Sequence, residues 1–156
     1  MLTTIRNFFE QHMAERVEDS HADAEKRARI AAAALLVEVA RSDEHITPAE
    51  RAALLESIQR RFRLGAEQAG RLLALAETES RDAHDLFQFT SRINAVFSLE
   101  RKERLVEELW RAAYADGELQ AYEEHVIRRL ADLLHVPHST FIRAKLRVQD
   151  EFERRE

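Results

Sequence analysis

Apolar residues recur at three- and four-residue intervals along most of the chain, which is the spacing of one face of an α-helix. Leu86, Phe89 and Ile93 follow this spacing, and Phe97 completes their stripe. Alternating apolar and polar runs, which would indicate half-buried strands, are missing from the sequence. Only 3 Gly and 2 Pro are available for tight turns among 156 residues. The pattern therefore predicts an all-α fold of about seven to eight helices in a single domain over 1–156.

Cap and breaker residues divide this pattern into eight predicted helices. The clearest start is Thr47-Pro48-Ala49-Glu50, with Thr as N-cap, Pro at the first helical position and Glu three residues after the cap. We expect Leu72, Leu73 and Leu75 to be buried on the fourth helix. The predicted helices cover about 2–18, 20–42, 48–63, 66–79, 86–97 and 98–115, then one that ends near 134 and a last one that buries Phe141, Leu146 and Phe152.

One helical hairpin occurs twice. The segment 36–54 reads LVEVARSDEHITPAERAAL, and 109–127 reads LWRAAYADGELQAYEEHVI. Each contains an apolar helix, an Asp, a polar turn with Ile or Leu, and a Glu that opens the next helix. Asp43 lies 73 positions before Asp116, and the two Glu residues keep the same offset. Self-similarity at a fixed offset indicates a duplicated supersecondary unit.

The offset divides the domain into two pseudo-symmetric repeats, at about 22–79 and 98–152. An amphipathic helix over 1–20 precedes them, and the polar stretch 77–85 is expected to link them. The mixed charges of the N-terminal helix favour packing on the core over contact with a membrane surface.

Composition narrows the possible functions. The chain has no Cys, which excludes disulfides, thiolate ligands and a Cys nucleophile. Its formal net charge is −5, which disfavours non-specific binding to nucleic acid. No apolar run approaches the roughly 18 residues of a membrane span, and the N-terminus lacks the apolar centre of a signal peptide. We expect a cytoplasmic protein.

The repeated acids are the best candidate for chemistry. Asp43 and Asp116 extend buried stripes close to helix C-termini, where an anion needs a compensating donor or cation. With Glu50 and Glu123 they could hold a divalent cation, since hard cations favour all-oxygen sites. The alternative is structural, because each Glu occupies the position of a capping-box Glu and each Asp could accept turn N–H bonds. The Glu follows the Asp too closely for an EF-hand loop.

The segment AAYADGELQAYEEHVIRRLADLL resembles the TerB family of tellurite-resistance proteins, and the resemblance covers roughly 31–150. It implies an all-helical fold of about seven helices, a divalent-metal site (Ca²⁺, Mg²⁺ or Zn²⁺) at the clustered acids, a cytoplasmic stress-response or scaffolding role with protein partners, and no known catalysis. Glu118 and His45 are weaker candidate ligands. The first copy departs from the family, because Glu44 stands where the family usually has Gly.

Two other classes of function are less well supported. The segment LADLLHVPHSTFIRAKLRV has the rhythm of a DNA-binding helix-turn-helix with Arg143, Lys145 and Arg147 on its second helix, although an ordinary helical hairpin shares that rhythm. Carboxylate–His pairs suggest metal ligands of an enzyme but fall at predicted helix ends, and no catalytic motif occurs. The carboxylate–His pairs are Glu18 with His21 and Asp132 with His135, and His135 and His138 form a further pair of two His residues. The sequence favours a protein that is not an enzyme.

Overall fold

A computed structural model describes residues 20–41, 46–82, 86–115, 119 and 121–154, without the side chains of Ser20 and Asp82. This part of the chain contains seven helices and no strand, so the all-α prediction is confirmed. The predicted helix over 2–18 lies outside the described residues. The helices are α1 Ser20–Ala40, α2 Pro48–Phe62, α3 Ala66–Asp82, α4 Phe87–Val96, α5 Leu99–Tyr114, α6 Ala121–Leu133 and α7 His138–Arg154.

Helix α1 is the centre of the molecule. Its run from Ile30 to Val37 is buried on every face, together with Val39 and Ala40. A helix that is apolar all round must be surrounded, and α1 contacts α2, α3, α4, α5 and α6. Its four consecutive Ala residues from Ala31 to Ala34 allow these neighbours to approach closely. The buried surface of α1 is therefore wider than the single apolar stripe of an amphipathic helix.

The helix bounds follow the spacing of the sequence repeat. Helix α2 begins at Pro48 and α6 at Ala121, which is 73 positions later. Helices α3 and α7 cover 66–82 and 138–154, an offset of 72, which is one residue less than that of α2 and α6. Arg63 and His135, also 72 apart, both take a left-handed conformation with φ of 53° and 59°. Superposition of the two hairpins stays a prediction.

Helix α3 is longer than predicted, because it continues through Glu79 to Asp82. The polar stretch 77–85 is therefore helical as far as residue 82, three residues beyond the predicted helix end at 79. Glu79 and Ser80 are buried, and one oxygen of Glu79 and the hydroxyl of Ser80 find partners on other helices. Arg92 of α4 contacts the Glu79 carboxylate at 3.3 Å, and the Ser80 hydroxyl donates to Glu38 of α1 at 2.7 Å. These contacts allow a polar sequence to remain helical inside the bundle.

Two residues predicted to be buried are exposed. Leu75 lies on the outer face of α3, whose buried apolar positions are Ala69, Leu73 and Ala76. Leu146 is exposed on α7. In both helices the exposed Leu lies next to the buried stripe. Its apolar side chain suggested burial, but the 3.6-residue period of the helix directs that position away from the core.

Candidate metal centre

The two acidic turns join α1 to α2 and α5 to α6, and most of their residues lie outside the described part of the chain. The structure therefore gives no position for four of the predicted ligands, which are Asp43, His45, Asp116 and Glu118. It does place Glu50 and Glu123. Each is the third residue of the helix that follows its turn, as the 73-residue offset requires.

Glu50 forms the predicted capping box. Its backbone N–H donates to the Thr47 hydroxyl at 3.1 Å, and its Oε1 accepts from the Thr47 backbone N–H at 3.3 Å. The Glu50 carboxylate is 4% exposed. Its Oε2 accepts no hydrogen bond from any residue that the structure describes. One oxygen therefore caps α2, and the other is available to a ligand.

Glu123 is 7% exposed at the start of α6. The residue three positions before it in the sequence is Gln120, which is neither Ser nor Thr, so the capping box of α2 has no direct counterpart here. Both carboxylates lie in the first turn of a helix, where the macrodipole stabilises negative charge. Two acids of different sequence surroundings thus share the same buried position in the two hairpins.

The packing of the helices places the C-terminal ends of α1 and α5, which precede the two turns in sequence, at one end of the bundle. Near the beginning of α1, Glu25 forms an ion pair with Arg101 at the beginning of α5, and the Nη2–Oε1 distance is 2.7 Å. Because α1 and α5 pack together and start at the same end, their C-terminal ends lie at the opposite end. Helix α1 also contacts α6, and α5 contacts α2, so each hairpin packs against the other.

A cleft of about 150 Å³ separates α2, α5 and α7 near these turns. Ala53, one turn beyond Glu50, and Ala115, which precedes Asp116 in sequence, both line it. The start of α2 and the end of α5 therefore face the same small space.

The cleft also contains an ion-pair network that the sequence did not indicate. Glu108 of α5 is 3% exposed and accepts hydrogen bonds from Arg60 of α2 and from Arg111. Arg111 donates two more bonds to Glu151 of α7, at 2.9 and 2.7 Å. The hydrogen bonds that Arg111 donates to Glu151 raise the pKa of the Arg111 guanidinium, against the opposing effect of burial. The sequence signal for this network was a Glu inside the stretch 105–110, whose residues are all buried in the structure.

Within the described ranges, no three His, Asp or Glu side chains form a group that could hold a metal ion. A metal centre built on Glu50 and Glu123 therefore needs ligands from the two turns. The histidines of the enzymatic hypothesis are surface residues, since His21, His135 and His138 are exposed, as is Asp132. Glu18 lies outside the described residues.

The basic residues of the helix-turn-helix hypothesis are all in ion pairs. Arg143 pairs with Glu103 at 2.9 Å, Lys145 pairs with Glu124 at 2.8 Å, and Arg147 pairs with Glu107. A DNA phosphate would have to compete with three carboxylates that are already in place. These contacts fit an ordinary helical hairpin better than a recognition helix.

A comparison with protein-family models matches residues 29–146 to the model of tellurite resistance protein TerB. The match covers most of the chain, including both hairpins and the acidic turns. Comparisons with curated proteins and with solved structures find no match.

Proposed function

Because the chain belongs to the TerB family, we propose that it is a tellurite-resistance-related module that binds a divalent cation and catalyses no reaction. The ligands are Asp43 and Glu50 from the first hairpin and Asp116 and Glu123 from the second. The cation is Ca²⁺, Mg²⁺ or Zn²⁺, all of which accept carboxylate oxygens.

The observation that carries this proposal is the repeated burial of Glu50 and Glu123. A carboxylate removed from water needs hydrogen bonds or a cation to offset its desolvation. Capping satisfies one oxygen of Glu50 and leaves the other available. Since both glutamates follow acidic turns at the same end of the bundle, a shared cation would balance several negative charges together.

Glu118 and His45 are weaker candidate ligands of the same site. His45 lies next to Glu44, where a family Gly is replaced, so its turn differs in backbone preference from the second turn. We therefore assign the stronger contribution to Asp116 and the weaker one to Asp43.

A binding module of this kind acts through other proteins. We propose a cytoplasmic stress-response or scaffolding role, in which the bound cation fixes the relative positions of the two hairpins. No helix in the part of the chain that the structure describes is long and apolar enough to cross a membrane.

The test is thermal unfolding of the metal-free protein with and without millimolar Ca²⁺, Mg²⁺ or Zn²⁺. A ligand at a hundred times its Kd stabilises the fold by about 2.7 kcal/mol. For a protein of this size that corresponds to a rise in Tm of roughly 5–10 °C. Asp116→Asn should lose most of the rise, Asp43→Asn less, and the exposed control Asp132→Asn none.

A wild-type Tm that does not respond to any of the three metals would remove the cation from the proposal. Glu50 would then be explained by its capping box alone. In that case Asp116→Asn should cost about 1 kcal/mol or less, since Asn still accepts a hydrogen bond from a backbone N–H.

A further inference from the structure

A cluster of three arginines lies at the other end of the bundle from the acidic turns. Arg29 of α1, Arg61 of α2 and Arg101 of α5 surround the rings of Phe62 and Phe97, and we call these five residues the arginine–phenylalanine cluster. Thirteen or more residues of α2 or α5 separate it from either turn. At 1.5 Å per residue, that distance is about 20 Å.

The two rings hold the guanidinium groups in a row. The guanidinium carbon of Arg61 is 5.5 Å from the Phe62 ring centre and 5.3 Å from that of Phe97. Arg101 lies over Phe97 at 3.9 Å, and Arg29 lies over Phe62 at 5.9 Å. Cation–π attraction contributes about 0.5–2 kcal/mol per contact, which offsets only part of the repulsion among three neighbouring cations.

The carboxylates do not balance these charges. Glu25 lies 2.7 Å from Arg101 and 3.9 Å from Arg29, and it is the one acid of the described chain in an ion pair with the cluster. Arg61 donates instead to the backbone carbonyl of Arg101 at 3.1 Å. The nearby Glu108 is already held by its own two arginines. Three positive charges thus face one negative charge.

Arg61 shows the consequence of this imbalance. Its burial, together with the neighbouring positive charge of Arg101, lowers the pKa of its guanidinium to about 10. The Nε–H groups of Arg61 and Arg29 are buried and have no hydrogen-bond acceptor among the described residues. Buried donors of this kind are normally satisfied, and a missing acceptor costs about 1–3 kcal/mol.

We propose that the arginine–phenylalanine cluster binds a small oxyanion with two negative charges, of the phosphate or sulfate class. Such an anion balances the two surplus positive charges, and its oxygens accept hydrogen bonds from planar guanidinium groups in paired geometry. The N-terminus of α5, capped by Ser98 close to Arg101, adds its positive dipole end to the same region. This site is separate from the proposed cation site.

The test is an NMR titration of the metal-free protein with inorganic phosphate and with sulfate, against sodium chloride at matched ionic strength. We expect saturable shifts of the Arg61 Nε–H signal and of the backbone amides from Phe97 to Arg101. Arg61→Gln should weaken binding at least about tenfold, as expected for loss of hydrogen bonds from a charged donor. Arg71→Gln, which removes an exposed arginine of α3 paired with Glu67, should bind like the wild type.

If Arg61→Gln does not fold, Arg101→Lys provides the second variant. It keeps the positive charge but loses the planar fork, and it should weaken phosphate binding severalfold. Shifts that sodium chloride reproduces would overturn the proposal, and so would equal phosphate affinity in the wild type and the folded cluster variant. Because metals are absent throughout, neither result depends on the cation site.

Discussion

Glu108 offers the sharpest test of how the two hairpins are held together. In the substitution Glu108→Gln, the side chain keeps its shape but loses its charge. The native carboxylate meets Arg60 at 3.3 and 3.0 Å and Arg111 at 2.7 Å. These bonds tie α2 of the first hairpin to α5 of the second.

The expected cost is about 2 kcal/mol. Breaking a buried ion pair costs about 3–5 kcal/mol when a charge is left without compensation. Arg60 is 45% exposed and can rehydrate, and Arg111 keeps its two bonds to Glu151, so we expect a cost below this range, about 2 kcal/mol. For a protein of this size, about 2 kcal/mol lowers Tm by roughly 4–8 °C.

The assay is chemical denaturation followed by the fluorescence of Trp110, the single tryptophan of the chain. Glu100→Gln is the matched control, because Glu100 pairs with Arg104 on the same helix but is 73% exposed. Exposed pairs of this type contribute about 0.5 kcal/mol or less. If Glu108→Gln costs no more than Glu100→Gln, the network does not join the hairpins energetically, and this reasoning is refuted.

Three further predictions follow from the same structure. Trp110→Phe should cost only about 1 kcal/mol, because the lost ring contacts are partly offset by removal of a buried indole N–H that has no acceptor in the described chain. Trp110→Ala should cost about 3–5 kcal/mol, and the denaturation midpoints of the two variants measure the difference. Thr47→Ala should lower stability by about 1 kcal/mol through loss of the α2 cap, and an unchanged midpoint would contradict the capping box. Because Arg143 and Arg147 are in ion pairs, no DNA gel shift is expected at micromolar protein, and a salt-sensitive shift would restore the helix-turn-helix hypothesis.

Local signals were sufficient for most of the fold. The start of α2 was readable because Thr47, Pro48 and Glu50 act on adjacent backbone groups. The extension of α3 through Ser80 was not readable, because Ser80 and one carboxylate oxygen of Glu79 find their partners on α1 and α4. Helix length in such cases depends on tertiary partners that sequence spacing does not reveal.

The candidate site was predictable to a similar degree. The repeat correctly placed Glu50 and Glu123 at equivalent positions in two helices, because both follow from local spacing. That both are buried depends on how α1, α2, α5 and α6 pack together. The Glu108 network and the arginine–phenylalanine cluster were missed for the same reason, since each joins residues about 40 or more positions apart in the sequence.

The most direct test of the proposed cation site compares two adjacent glutamates by calorimetric titration with Ca²⁺, Mg²⁺ and Zn²⁺. Glu123 is buried at the acidic turn, whereas Glu124 is 45% exposed and pairs with Lys145 of α7. Glu123→Gln and Glu124→Gln remove the same charge from the same helix. We predict saturable binding of one of the metals to the wild type and to Glu124→Gln, and binding at least about tenfold weaker in Glu123→Gln. Absence of saturable binding in the wild type, or equal affinity in all three proteins, would contradict the cation site.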